Sequence, residues 1–240
     1  MSYLNTKPLL YGIERSPLLE EMELITDYPA SIADLLLKDE IDVGLVPVAI
    51  IPEMKEYYIN TRYCIGCNGP VASVCLFSEV PVEELHTVVM DNQSRTSVTL
   101  AKILLKEYWK INPEYKKAGT RFLEEIRGTT GAVVIGDRAL KQRSVSAYTY
   151  DLGETWKKMT GLPFVFAAWI SNKKLDPDWV KAFDEANSFG VQHMDLVLEG
   201  LTNDIFNLKE YYTRYLRYEL DSGKEKGMEA FLEKIQEYKL

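Results

Sequence analysis

Histidine and cysteine are scarce in this chain of 240 residues, with two of the first and three of the second. Three thiols, Cys64, Cys67 and Cys75, are an odd number in a chain of this size and do not make a disulfide framework, so reduced cysteines are expected. Cys64-Ile65-Gly66-Cys67 has the spacing of a redox or zinc pair, but no second ligand pair accompanies it. Gly66, Asn68, Gly69 and Pro70 predict a turn there, where a redox pair would open a helix. Basic residues are also in deficit: 28 Lys and Arg against 36 Asp and Glu give a net charge of −8, which removes the field that a nucleic acid partner needs. A small anion can still be held locally by helix N-termini and single arginines. No apolar run approaches the ~18 residues of a membrane span, and Ile41–Ile51 and Leu162–Ile170 are short and interrupted. The N-terminal residues lack the apolar core of a secretory signal, so a cytoplasmic location is expected. GxGxxG, Walker and HExxH motifs are missing, so no cofactor and no metal is expected.

What is present is an alternation of buried-strand and amphipathic patterns. Met22–Ile25, Ile41–Val46, Val71–Phe77, Thr87–Met90, Ala132–Ile135 and Phe164–Ile170 read as strands, which predicts an α/β fold. Helical spacing covers Pro29–Leu37 and Ser97–Trp109. Asp176-Pro177 announces a long helix through Leu198, with Asp176 as N-cap and Pro177 in the first turn. Asn207 with Glu210 starts another over Leu208–Leu220, and Gly227–Tyr238 is amphipathic, so the C-terminal quarter is expected to be helical. Tyr211, Tyr212, Tyr215 and Tyr218 fall at mixed spacings along the first of these, spanning core and surface; their exposed parts are the candidate for a homodimer contact.

Two places where one strand-like run leads quickly into another region, Phe77–Leu85 and Phe164–Asn172, look like paired hinge crossings. They predict lobe one from residues 1–80 plus 170–240, an inserted lobe two from 81–169, and a ligand cleft between them.

The segments Ser2-Tyr3-Leu4-Asn5-Thr6-Lys7-Pro8-Leu9 and Ser94-Arg95-Thr96-Ser97-Val98 resemble signature segments of a menaquinone-biosynthesis family of the futalosine pathway. Asp42–Pro47, Ile135-Gly136-Asp137, Asp151–Trp156 and Thr160–Ala167 resemble further segments of it in the same order. The resemblance implies a fold like the type II periplasmic binding proteins and a cytoplasmic, cofactor-free hydro-lyase. Its substrate would be chorismate, and the product of dehydration 3-[(1-carboxyvinyl)oxy]benzoate. It also implies a short strand ahead of Ser2, where this sequence begins with Met, so lobe one is expected to lack a central pairing partner. The sister ring-forming enzyme of the family, dihydroxynaphthoate synthase, is thought to use a histidine from its middle lobe, whereas residues 87 to 192 contain none. A solute-binding module of the same architecture is the other alternative.

The site residues follow from both readings. Ser94, Arg95, Thr96 and Ser97 precede a helix and can cradle a carboxylate or simply cap that helix. Asn5, before a short helix that Pro8 begins, offers donor and acceptor to a hydroxyl, or caps that helix. By resemblance, Asn5 and Ser73 match catalytic positions, and Gly136 and Asp137 lie in a substrate-binding segment. Asp42 and Asp137 would repel a dianion, so hydrogen bonding within the fold is the other role open to them. Arg95 and Arg138 are candidate cations for the substrate, with Arg62 a third and Lys7 solvated. His86 and His193 are placed at a core edge or surface. With no base in evidence, elimination assisted by a substrate carboxylate is the expected mechanism.

Overall fold

The computed structural model describes residues 3–201 and 206–239. Its strands are β1 (Val43–Pro47), β2 (Tyr58–Cys67), β3 (Val74–Ser78), β4 (Thr87–Met90), β5 (Glu114–Lys117), β6 (Thr130–Ile135), β7 (Tyr148–Asp151), β8 (Phe164–Ser171) and β9 (Arg217–Glu219). The helices are α1 (Lys7–Ile13), α2 (Pro29–Leu37), α3 (Arg95–Glu107), α4 (Asp137–Gln142), α5 (Leu152–Thr160), α6 (Pro177–Gln192), α7 (Met194–Glu199), α8 (Leu208–Glu210) and α9 (Ser222–Tyr238). A four-stranded sheet in the order β1-β8-β2-β9 centres lobe one, and a five-stranded sheet in the order β5-β4-β6-β3-β7 centres lobe two. In lobe two β4 runs parallel to β5 and β6, as crossover connections require, while β3 runs antiparallel to β6 and β7.

The chain therefore passes between sheets at residues 68–73 and 152–163. These passages lie elsewhere than the expected Phe77–Leu85 and Phe164–Asn172: β3 already belongs to the second sheet and β8 to the first. Both strands are buried along their whole length, so no polar alternation tells which sheet each joins.

Several helix starts follow the sequence closely. Ser94 caps α3, its Oγ accepting from Ser97 N–H, and Asp176 caps α6 by accepting from Asp178 and Trp179 N–H with Pro177 in the first turn. The long helix breaks at His193, whose backbone leaves the helical region, so α6 and α7 replace one element. Met22–Ile25, expected as a strand, pairs with none of the described residues. It lines a groove of about 580 Å³ that also borders β1, which among the described strands pairs only with β8. The C-terminal quarter is not all helix: a π-helical turn at Tyr211–Tyr215 leads into β9, which pairs with β2.

The core under lobe one joins Trp156, Phe164 and Phe231 in edge-to-face contacts, so α5 and α9 pack together over β8. On the opposite side α1 crosses α6 where both carry glycine. A methyl group on Gly12 would stand 1.8 Å from the Ala186 carbonyl oxygen, and one on Gly190 1.8 Å from that of Pro8. This backbone-to-backbone approach fixes α1, and with it the turn that precedes α1 at the cleft.

Candidate functional site

A cavity of about 60 Å³ lies between the two sheets, lined by Tyr3, Asn5, Pro47 and Phe166 from one side and by Ser73, Ser94, Ser97 and Gly136 from the other. Asn5 sits in a 3-10 turn, Leu4–Thr6, every edge of which is held. Leu4 N–H donates to Asp137 Oδ1, Leu4 O accepts from the Tyr212 hydroxyl, and Asn5 O accepts from the Tyr218 hydroxyl. Thr6 Oγ1 donates to Tyr3 O. Against this, Asn5 Oδ1 is buried with no hydrogen-bond partner among the described residues. Asn5 does not cap α1, since Thr6 is the N-cap residue and makes no side-chain bond there. An orphaned buried acceptor of this kind costs about 1–3 kcal/mol, and a donor from a ligand in the cavity would relieve it.

Ser73 lies in the bend just ahead of β3 rather than within the strand. Its N–H donates to Val71 O, its O accepts from Gly136 N–H, and its Oγ accepts from the Tyr211 hydroxyl at 2.7 Å. The bend is organised by Asp151, whose carboxylate takes Val71 N–H, Ala72 N–H and the α5 capping bond from Glu154 N–H. Ala72 is left in the left-handed region at φ 63°. Burial pushes the Asp151 carboxyl above the usual carboxylate range, and the backbone N–H bonds and Arg143 oppose that shift.

The Ser94–Ser97 segment divides its labour. Ser94 Oγ and Ser97 Oγ lie 3.0 Å apart and both line the cavity at the start of α3. Thr96 instead uses its Oγ1 to accept from Ala49 N–H, and Arg95 forms ion pairs with Glu53 and Asp34. Both reach across to lobe one, so neither contributes to the cavity lining expected of them; Arg95 is spent on two carboxylates. Gly136 lines the cavity, but the Asp137 carboxylate is occupied by Leu4 N–H and joins the lobes rather than facing a ligand. Asp42 pairs with Lys173 beside the groove under β1. Arg62 is paired with Asp184 on the outside of the molecule.

Arg138 does not line the cavity but is linked to Tyr3, which does, through Gln93. It donates to Asp91 and to Gln93 Oε1, and the Tyr3 hydroxyl donates to that same Gln93 oxygen. Burial pushes the Tyr3 phenol to about 12, with the positive charge of Arg138 opposing, so Tyr3 is a donor at neutral pH. Neither His86 nor His193 reaches the cavity; both are exposed, and among the described residues no Asp, Glu or His side chain lines it. Cys64 and Cys67 are fully buried within β2, and burial pushes the Cys64 thiol to about 12, the environment of an inert thiol. Among the described residues no group of three or more His, Cys, Asp or Glu side chains could hold a metal ion. Nor is any described helix long and apolar enough to cross a membrane.

The residues that sequence reasoning missed are the tyrosines. Tyr211, Tyr212 and Tyr218 are buried, with all three hydroxyls directed at Ser73, Leu4 and Asn5. Their mixed spacing was the signal: a π-helical turn and then a strand bring onto one side residues that an α-helix would scatter.

Two sheets, two passages and a cleft between the lobes define the architecture of type II solute-binding proteins. Solved structures agree. A protein from Archaeoglobus fulgidus superposes with a TM-score of 0.74 at 12% identity, covering 99% of this chain and 95% of that one. The periplasmic aliphatic sulphonate binding protein of Escherichia coli gives 0.60 at 12% identity, covering 98% and 84%. At sequence level, the family model described as menaquinone biosynthesis matches residues 1–237, and the chain belongs to that family. Among its relatives, the chorismate dehydratase of Thermus thermophilus is 28% identical over 97% of this chain and 92% of its own length. That of Campylobacter jejuni is 28% identical over 94% and 91%.

Proposed function

We propose that this protein is a chorismate dehydratase, a cytoplasmic enzyme of the futalosine route, and that the cleft around Asn5 and Ser73 is its active site. The observation that carries the reading is Asn5 Oδ1, a buried acceptor without a partner among the described residues, on the same cavity as Ser73. Together they offer one acceptor and one donor, which is what an alcohol needs, and chorismate presents its C4 hydroxyl. The first turn of α3, with Ser94 and Ser97, is the cradle for a carboxylate, which the positive end of that helix favours.

In the reaction the C3–H bond breaks, its proton passing to a carboxylate of the substrate. The electron pair forms the new ring double bond as the C4–O bond breaks. Hydroxide leaves C4 and recovers a proton as water, so the sum is loss of one water and an aromatic ring. Asn5 orients the departing oxygen and Ser73 donates to it as charge develops. Among the described residues the cavity lining includes no Asp, Glu or His side chain, which supports a base supplied by the substrate.

At about 60 Å³ the cavity is far below the several hundred Å³ of an ordinary ligand pocket, so chorismate enters when the lobes part. Parting them breaks Arg95 to Asp34 and Glu53, Thr96 to Ala49, Leu4 to Asp137 and Tyr3 to Gln93. The larger groove under β1 does not suit a dianion. Glu21, Glu23, Asp27, Glu40 and Asp42 line it, and its Lys173 is already paired with Asp42. Incubating the protein with chorismate and separating products by chromatography tests the reading. Formation of 3-[(1-carboxyvinyl)oxy]benzoate is expected. Binding without turnover would favour a solute-binding module, and turnover of cyclic dehypoxanthine futalosine instead would favour the ring-forming sister enzyme.

A further inference from the structure

The three tyrosine hydroxyls that converge on the cleft differ in what they touch. Those of Tyr212 and Tyr218 end on backbone carbonyls, Leu4 O and Asn5 O, and tie the 3-10 turn to the C-terminal segment. That of Tyr211 ends on a side chain, Ser73 Oγ, across 138 positions of sequence. Both groups are almost wholly buried, at 1% exposure each, so the bond is sealed from water. A phenol is the stronger acid of the two hydroxyls, so Tyr211 donates and Ser73 accepts. Ser73 must then aim its own proton elsewhere, and it lines the same cavity as Asn5.

We propose that Tyr211 is a positioning residue whose hydroxyl fixes the direction of the Ser73 proton toward the leaving oxygen and strengthens Ser73 as a donor. This deepens the dehydratase reading and rests on it. The chain Tyr211 to Ser73 to substrate oxygen is a sequence of donors in which each bond polarises the next. No proton changes owner at Tyr211; burial raises its phenol well above the ordinary tyrosine value, so it stays protonated throughout. The local fold is built for this contact. Tyr211 opens the π-helical turn Tyr211–Tyr215, a rare distortion that lets the adjacent Tyr211 and Tyr212 rings both turn inward. An ordinary core tyrosine would need only one satisfied hydroxyl anywhere; this one satisfies the side chain that faces the reacting bond.

The test is a double-mutant cycle on kcat and KM for chorismate with Tyr211→Phe and Ser73→Ala, and Tyr212→Phe as reference. Tyr211→Phe is expected to lower kcat about five- to tenfold while KM moves less than about twofold. In the Ser73→Ala background the same substitution changes kcat less than about twofold, because the group it positions has gone. Tyr212→Phe, which acts through the turn, has the same effect in both backgrounds. An unchanged kcat in Tyr211→Phe, or an equal loss in both backgrounds, would overturn the proposal while leaving the dehydratase reading standing. Failure of the wild-type protein to convert chorismate would remove both. If Tyr211→Phe does not fold, site-specific 3-fluorotyrosine at 211 keeps the shape and makes a stronger donor. A kcat that rises supports the relay, and one that stays at the wild-type value contradicts it.

Discussion

Gly136 packs against the Tyr3 ring beside the cleft, and replacing it with alanine has a cost that can be worked from the structure. Its backbone sits at φ 65° and ψ −146°, a region close to one that only glycine populates, which charges any other residue about 1–3 kcal/mol. The new methyl group would also stand 2.4 and 2.5 Å from Cδ1 and Cε1 of Tyr3. The ring must move, and its hydroxyl loses Gln93, a further cost of about 1 kcal/mol. The sum is about 2–4 kcal/mol. Gly161→Ala is the reference, with φ 75° and nothing within 4 Å of the new methyl, so only the left-handed penalty of about 1–2 kcal/mol applies. Denaturant unfolding of both variants gives the stability difference, and titration with chorismate gives the part that falls on lobe closure. Gly136→Ala should be the less stable and should bind more weakly, since Tyr3 lies against lobe two through this contact. Equal stability and equal affinity in the two variants would refute the claim that Tyr3 and Gly136 set the closed geometry.

Three other perturbations separate the parts of the account. Asp151→Asn puts an amide in front of the Val71, Ala72 and Glu154 N–H groups; thermal unfolding should show a loss of about 2–4 kcal/mol, with Ser73 displaced and activity reduced. Arg95→Ala removes ion pairs that are one-third to one-half exposed, so stability should fall by no more than about 1 kcal/mol, while KM for chorismate rises a few-fold and the difference shrinks at high salt. Although burial pushes the Glu107 carboxyl upward, hydrogen bonds from Lys234 and Tyr238 outweigh it and hold it below the usual range. Its contribution is therefore present above the unfolded value of about 4.3 and is lost as pH falls through the folded one. Glu107→Gln should flatten the acid limb of the stability profile, and an unaltered limb would show that the link from α3 to α9 carries no such linkage.

The fold was legible where local chemistry and periodicity agree. Asp176-Pro177 opens α6 and Ser94 opens α3 because a cap needs only neighbours in sequence. Partner choice in sheets was not legible. Phe164–Ser171 is buried on both faces and carries no sign of its sheet, and Met22–Ile25 has a strand pattern with no described strand paired to it. β9 escaped because only Tyr218 of its three residues is buried, too short a pattern to read. At the site, Asn5, Ser73, Ser94, Ser97 and Gly136 are brought to one cavity from four segments. Arg95, Thr96 and Asp137 belong to the same motifs, but their side chains join the lobes, which depends on what stands opposite and not on the residues themselves. The tyrosines were unread for the same reason: the target of a hydroxyl two hundred residues away is a tertiary fact.

The central claim, that chorismate loses water between Asn5 and Ser73, is tested most directly by measuring kcat and Kd for chorismate in the wild-type protein and in Asn5→Ala. The account predicts product from the wild type, and a variant that folds and binds chorismate within a few-fold but turns over at least about a hundredfold more slowly. A folded Asn5→Ala protein that matches the wild-type rate would contradict it.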